Sequence, residues 1–474
     1  MKNKMTWEWL PLTAAALILS FMLLLKPIVG VADNGDFLRI MGTAGLAYPD
    51  QTEARADQYF AFMHRQFAFT DLGAGGYVSA EVALVTAVSL IGRALGSQLF
   101  DIRLLSVVYS ILLLTAFAML LRLRLLASPA ARLACAAVFL LMFLDVGYTA
   151  YFNSLFGEPM SLVFLLLTLA AALRLAEQRP PRLGTLASFA AAAVCLTAAK
   201  LQNAPAGLLL AGLALRLLPL SAVPAWRRWS AAVPALLVLT AGIMYLKAPA
   251  ELKTINQYQA VYYGILKDSP TPGQDLRELG LDPKLAVLQN TNYFTPDTPI
   301  PQQSAELMQS FYPHISHGKI AWFYATHPAR FLDKLQVTAT NAMTIRPGYL
   351  GNYEKAEGLA RGQLSSSFAV WSELKRQVLP HSFGALLIFG VLYMLVLLAV
   401  RTGARSRNEA AVCDTLLCVP LIAAAAFVVP LIGDGEADME KHLFLFNVCY
   451  DVMAAVSLIW LVHQAVNLLR RRAF

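Results

Sequence analysis

Apolar stretches long enough to cross a bilayer alternate along this chain with short basic clusters, and that alternation limits the fold more than anything else in it. Spanning a hydrocarbon core takes about 20 apolar residues in helical form. Stretches that meet or approach this length occur at 10–31, 104–121, 133–149, 159–175, 183–199, 204–220, 230–246, 382–400, 411–432 and 443–464. An open sheet edge or irregular backbone has no hydrogen-bond partner in lipid, so each stretch is predicted to be a helix. Composition agrees: 57% of the 474 residues are hydrophobic and 14% are charged, whereas soluble domains carry roughly a quarter charged residues.

The basic residues set the number of crossings. Lys2/Lys4, Arg122/Arg124/Arg132, Arg174/Arg179/Arg182, Arg216/Arg227/Arg228, Arg401/Arg405/Arg407 and Arg470/Arg471/Arg472 fall at every second junction between the apolar stretches. About ten transmembrane helices put all of them on the cytoplasmic side, with both termini, as the positive-inside rule requires. An eleventh crossing at 79–96 would invert every later loop. That segment is therefore expected to lie as an amphipathic helix on the outer surface, with Glu81 and Arg93 as its polar exceptions. The N-terminal apolar run exceeds the roughly 7 to 15 residues of a signal-peptide core and is expected to be a retained first helix. The net charge of +8 is absorbed by this pattern, so nucleic acid is not an expected partner. The five cysteines lie in or beside apolar stretches without the spacing of a zinc site, so neither disulfides nor a thiolate metal centre is expected.

The expected fold class is an all-α polytopic membrane protein. Residues 1–246 form an N-terminal membrane module of seven spans, whose outer loop at 32–103 carries the interfacial helix. Residues 247–381 form a mainly helical extracytoplasmic subdomain, and 382–474 a C-terminal module of three spans. Proline-rich turns at 269–273 and 295–301 and the helix-like run from Gly318 to Met343 support helices joined by loops in the subdomain.

Four polar constellations fall on the outer face under this topology. Asp33-Asn34-Gly35-Asp36, with Arg39, follows the first span; two carboxylates around a glycine suit a cation or a base acting on a hydroxyl, and equally a polar helix cap. Asn153 and Glu158 flank the junction of the third and fourth spans, where a carboxylate also favours a helix N-terminus. Lys200, Gln202 and Asn203 fill the turn between the fifth and sixth spans; an outer lysine suits an anion such as phosphate, or snorkels to headgroups. Asp434, Glu436, Lys441 and His442 belong to the acidic run before the last span. In the large outer region, Arg346 offers a guanidinium for phosphate and Tyr349 a ring face for sugar.

The motifs DNGDFLR, YFNSLFGEP and GDGEADMEKHLFLFN, with the acidic first outer loop and the sizeable late outer region, resemble the GT-C superfamily of membrane glycosyltransferases, in particular bacterial cell-surface glycan-assembly members. The resemblance implies an enzyme in the bacterial plasma membrane that takes a sugar from a polyprenyl-phosphate donor. The sugar would pass to a glycan, glycolipid or protein acceptor on the extracytoplasmic face. It implies that an acidic residue of the first outer loop acts as base or metal ligand, and only Asp33 and Asp36 fit. A divalent cation, Mg2+ or Mn2+, is left open. The alternatives are a flippase or transporter of lipid-linked sugars, or a polymerase or ligase using lipid-diphosphate donors. A transporter would place charge at the midplane and show repeats, whereas here charge gathers at one rim.

Overall fold

The computed structural model describes residues 5–126 and 128–472; Lys2 and Lys4 lie outside the described residues, and the side chains of Arg470, Arg471 and Arg472 are likewise not described. The chain is mostly helical and is a multi-pass membrane protein. Among the described residues, eight helices are long and apolar enough to span: Trp7–Leu24, Arg103–Leu121, Glu158–Glu177, Leu201–Leu220, Pro224–Leu246, Phe383–Thr402, Arg407–Asp434 and Phe444–Leu469. The expected third span is a helix pair, Pro129–Phe143 and Val146–Asn153, bent by 56°. The bend follows a π-helical turn at Phe139–Phe143, a common cause of kinks. The expected fifth span is Leu183–Ala198, 16 residues long, which is shorter than a full crossing. All ten apolar stretches are thus helical, with two departing from a straight, full-length crossing.

The fourth span, Glu158–Glu177, is the centre of the bundle, with 89% of its apolar window buried. It packs on the second, fifth, ninth and tenth spans, which is why nearly its whole circumference is apolar rather than one stripe. The eighth span, Phe383–Thr402, is peripheral at 11% buried.

The two ends of the bundle differ in kind. At one end the basic junctions converge: Arg122 reaches Glu8 at 3.2 Å, Arg216 reaches Asp414 at 3.0 Å, Arg401 pairs with the same Asp414, and Arg407 donates to the Pro219 carbonyl. At the other end the DNGD loop, the Lys200 turn and the acidic run meet. The spacing of basic clusters therefore translates into one basic end and one mixed polar end.

On the polar end, Ala80–Ala94 forms a helix capped by Ser79, whose hydroxyl accepts from Val82 N at 3.1 Å. This is the segment expected at the surface, and Leu90, Ile91 and Leu95 are exposed on it. Glu81 departs from that expectation. It is fully buried and accepts a hydrogen bond from Tyr109 of the second span, and burial pushes its carboxyl well above the ordinary range. Three short strands, Leu46–Ala47, Gln66–Phe69 and Leu99–Asp101, form a small antiparallel sheet in the same loop. At two to four residues each they leave no readable alternation.

The region 247–381, expected on the outer side, has its own apolar core around Tyr258, Tyr262, Leu285, Phe311 and Phe323. Its helices His317–Thr326 and Pro328–Asn341 break at His327, where the residue before a proline leaves helical geometry. The region is joined to the last loop by a backbone contact. Gly435 sits at φ +65, and a Cβ there would lie 2.9 Å from the Gly264 Cα, so only glycine permits the approach.

Candidate active site

The loop leaving the first span is held from three sides before it reaches DNGD. Gly30 N donates to the Asn352 carbonyl at 2.9 Å, Ala32 N donates to the Gly351 carbonyl at 2.9 Å, and Asn352 Nδ2 donates back to the Gly30 carbonyl at 2.7 Å. The back of the large outer region therefore fixes where the acidic motif begins.

The two aspartates of that motif have different surroundings. Asp33 is fully buried, and both oxygens are engaged. Oδ1 accepts from Gly35 N at 2.7 Å and Phe37 N at 3.1 Å, and Oδ2 accepts from Tyr48 OH at 2.6 Å. Burial pushes its carboxyl up to about 6, against the pull of these donors. Its lone pairs are spent on shaping the turn into the helix Phe37–Ala44, leaving it no access to a substrate hydroxyl.

Asp36 is the exposed partner, with 29% of its side chain reachable by solvent. Its oxygens accept from Lys441 and from Arg39, and both contacts are short. Burial alone would raise its carboxyl, but Lys441 and Arg39, with Lys200 farther off, hold it well below the usual carboxylate range. Lys441 is 1% exposed; burial would lower its ammonium, and Asp36 and Asp438 keep it firmly charged. Its ammonium also lies 5.1 Å over the Phe156 ring.

Asp438 closes the far side. Its Oδ2 accepts from Asn34 Nδ2 at 2.5 Å and from Lys441 at 3.1 Å, and its Oδ1 accepts from Tyr349 OH at 2.7 Å. The residue adopts φ 47, a left-handed conformation uncommon outside glycine. The sequence places Asp438 within the acidic run, but Asp434, Glu436, Lys441 and His442 are the binding candidates there; the clue to Asp438 is only that every second residue in the run is acidic.

A second tier stands behind. Lys200 Nζ donates to Glu158 Oε1 at 2.6 Å, Glu158 being 1% exposed. The lysine stem crosses Gly157 so closely that a Cβ there would meet Lys200 Cγ at 2.7 Å. His442 lies between Gln202 Oε1, 3.2 Å from Nδ1, and Asp434 Oδ2, 3.1 Å from Nε2. Gln202 returns a hydrogen bond to the His442 carbonyl.

The structure thus gathers Asp33, Asn34, Asp36, Arg39, Tyr349 and Lys441 around one point. Glu158, Lys200, Gln202, Asp434 and His442 form a supporting ring. Four residues expected to bind substrate are placed elsewhere. Asn153 donates to the Leu23 and Val29 carbonyls at 2.9 and 2.8 Å, strapping the end of the first span. Asn203 donates to Ser161 Oγ at 2.8 Å, tying the fourth span to the turn. Arg346 is buried, donating to Asn352 Oδ1 and the Ser365 carbonyl at 3.0 and 2.7 Å, so its guanidinium is committed to the outer loop. Glu436 accepts from Lys334 and Lys267 at 2.5 and 2.6 Å, joining the acidic run to the subdomain. In each case the polar groups named are engaged by protein rather than turned toward a ligand, although Asn153 Oδ1 is buried without a partner among the described residues.

The donor set at Asp33 and Asp36 does not fit a divalent cation. Asp33 is saturated by hydrogen-bond donors, and Asp36 is engaged by two cations that would repel a third. Among the described residues no group of three or more His, Cys, Asp or Glu could hold a metal ion.

Known proteins can now be set beside this geometry. No curated protein matches the sequence significantly. The solved structures it matches include the apo oligosaccharyltransferase of Archaeoglobus fulgidus, at 15% identity and a TM-score of 0.42, over 100% of this chain and 52% of that one. Another is the oligosaccharyltransferase AglB of the same organism in complex with an inhibitory peptide and a dolichol-phosphate, at 13% identity and a TM-score of 0.41, with the same coverage. The chain spans about half the length of these proteins. The family model of the YfdI N-terminal transmembrane domain matches residues 1–473. The chain therefore belongs to the YfdI N-terminal transmembrane domain family.

Proposed function

We propose that the protein transfers a sugar from a polyprenyl-phosphate donor to a glycan, glycolipid or protein acceptor on the extracytoplasmic face of a bacterial plasma membrane. The observation that carries this reading is Asp36. It is a solvent-reachable carboxylate at the membrane rim, seated between a buried lysine and an arginine. Asp36 takes the proton of the acceptor hydroxyl as the acceptor oxygen bonds to the anomeric carbon. The bond from that carbon to the phosphate oxygen breaks, and the electron pair leaves on the phosphate. Lys441 and Arg39 stabilise that developing charge from fixed positions, and Glu158 holds Lys200 beside them. Asn34 and Tyr349 fix Asp438 behind Lys441, while Asp33 fixes the turn. The basic end of the bundle, with both termini, lies in the cytoplasm, as the positive-inside rule favours.

The test is transfer from radiolabelled polyprenyl-phosphate sugars to acceptors in membranes, comparing wild type with Asp36→Asn at matched expression. Loss of about 10²- to 10⁴-fold is expected for a removed base, with the folded protein retained. Full activity in Asp36→Asn would remove it as the base. Wild-type movement of lipid-linked sugar across the bilayer without any transfer would instead make the protein a flippase.

A further inference from the structure

We propose that the Asp36 carboxylate is the internal occupant of a phosphate seat formed by Lys441 and Arg39, and that a lipid-borne phosphate displaces it, freeing Asp36 to act as a base. The consequence for the base rests on the transferase reading; the seat itself does not.

The two carboxylates that meet Lys441 are anchored differently. Asp438 is held by neutral donors, Asn34 on one oxygen and Tyr349 on the other, in addition to the lysine. It would stay in place if Lys441 turned to another anion. Among the described residues, the Asp36 side chain accepts only from Lys441 and Arg39, so charge is what keeps it there.

A buried ammonium cannot be left unpaired, and at 1% exposure Lys441 needs an anion on the side facing Asp36. Arg39 is 36% exposed, so the seat opens to solvent between the arginine and the carboxylate. A phosphate group presents at least two anionic oxygens that can meet Lys441 and Arg39 at once, which a sugar-bearing phosphodiester already does, and the lipid monoester left after transfer brings more charge than one carboxylate. Lys200, partly exposed at 23%, adds a third positive charge nearby.

Exchange would change the chemistry of Asp36. While the two cations hold it, the carboxylate is a poor base. Once the phosphate takes both cations, that hold is lost and Asp36 can accept a proton. Base activity would then exist only with a phosphate-bearing lipid in place.

The experiment measures binding without transfer. Purified protein in nanodiscs is titrated with farnesyl phosphate and, separately, with inorganic phosphate, for wild type and for Asp36→Asn, Asp36→Ser, Lys441→Met and Asp438→Asn. Removing an internal competitor tightens apparent affinity by the fraction of time it fills the seat. Asp36→Asn and Asp36→Ser are therefore expected to bind farnesyl phosphate on the order of tenfold more tightly than wild type, and Lys441→Met to lose binding. Asp438→Asn, at a side chain that Asn34 and Tyr349 hold outside the face shared by Lys441 and Arg39, should not tighten it. Two different replacements at Asp36 guard against one that misfolds. Tightening for farnesyl phosphate alone assigns the seat to a lipid headgroup, and tightening for both ligands assigns it to phosphate from either source; each supports the exchange. Unchanged or weaker binding in folded Asp36 variants overturns it. Tightening without any wild-type transfer would sink the transferase reading and keep the seat; transfer without tightening would do the reverse.

Discussion

An ion cluster at the polar rim and another inside the bundle differ in how completely they are satisfied. Inside, Lys375 pairs with Asp451 at 2.7 Å with both side chains fully buried. The lysine also donates to Asn447 Oδ1 at 2.7 Å, and Asp451 accepts from Tyr148 OH at 2.6 Å and Trp371 Nε1 at 2.7 Å. Close by in the fold, Asp145 accepts from the backbone N–H groups of Gly147, Trp371 and Ser372. The helix Val370–Val378 of the outer region is thereby clamped onto the last span. Both oxygens of Asp451 are engaged and neither faces solvent. At the rim, Lys441 is equally buried, yet its partner Asp36 is open to solvent and held by cations alone. A charge enclosed on all sides serves the fold, and a buried charge facing a loosely held partner can meet a ligand.

That contrast can be broken most directly at Lys375. Lys375→Met should lower the stability of the detergent-purified protein by about 3–5 kcal/mol, because Asp451 would be left buried and unpaired, while activity per folded molecule is retained. Thermal unfolding alongside the transfer assay checks this. If the variant is stable but inactive, the inner cluster belongs to the chemistry and the division fails.

Asp33 sharpens the comparison, since it lies at the rim but is saturated like Asp451. Its carboxyl is raised to about 6 in the fold from 3.8, so between those values the native chain binds more protons than the unfolded one. Stability must therefore fall as pH rises through that window and level off above it. The full penalty at neutral pH is roughly 3 kcal/mol. Unfolding measured from pH 4 to 7 should show this slope in wild type and a smaller one in Asp33→Asn. Equal slopes would mean the carboxyl titrates normally.

Asn153 gives the smallest effect. Asn153→Ala should cost about 1–3 kcal/mol, through the carbonyls of Leu23 and Val29 left without their donor, with transfer kinetics otherwise kept. A lower rate at unchanged stability would return Asn153 to the site.

What could be read from the sequence follows from how far each signal travels along the chain. Ten helices were legible because apolar length and basic flanks are local. The bend after Phe143 and the shortness of Leu183–Ala198 were not, since packing decides them. Asp36, Arg39, Lys441 and His442 were legible because each motif faces the same end of a bundle whose crossings could be counted. Their pairing was not, because Asp36 and Lys441 are 405 positions apart. Asn153, Asn203 and Arg346 look like ligand residues in a list of polar side chains. Only the groups around them reveal that their donors are committed inside the protein. The burial of Glu81, a polar exception on its helix, is not legible in the sequence because Tyr109, which donates to it, lies in the next span.

The missing side chain at Gly157 makes that position a spacer of adjustable thickness. Since the Lys200 stem lies against it, Gly157→Ala would push that stem away and shift the ammonium relative to Glu158 without altering any charge. A graded series at one backbone position could therefore show how finely the height of a cation sets the rate, separately from its presence.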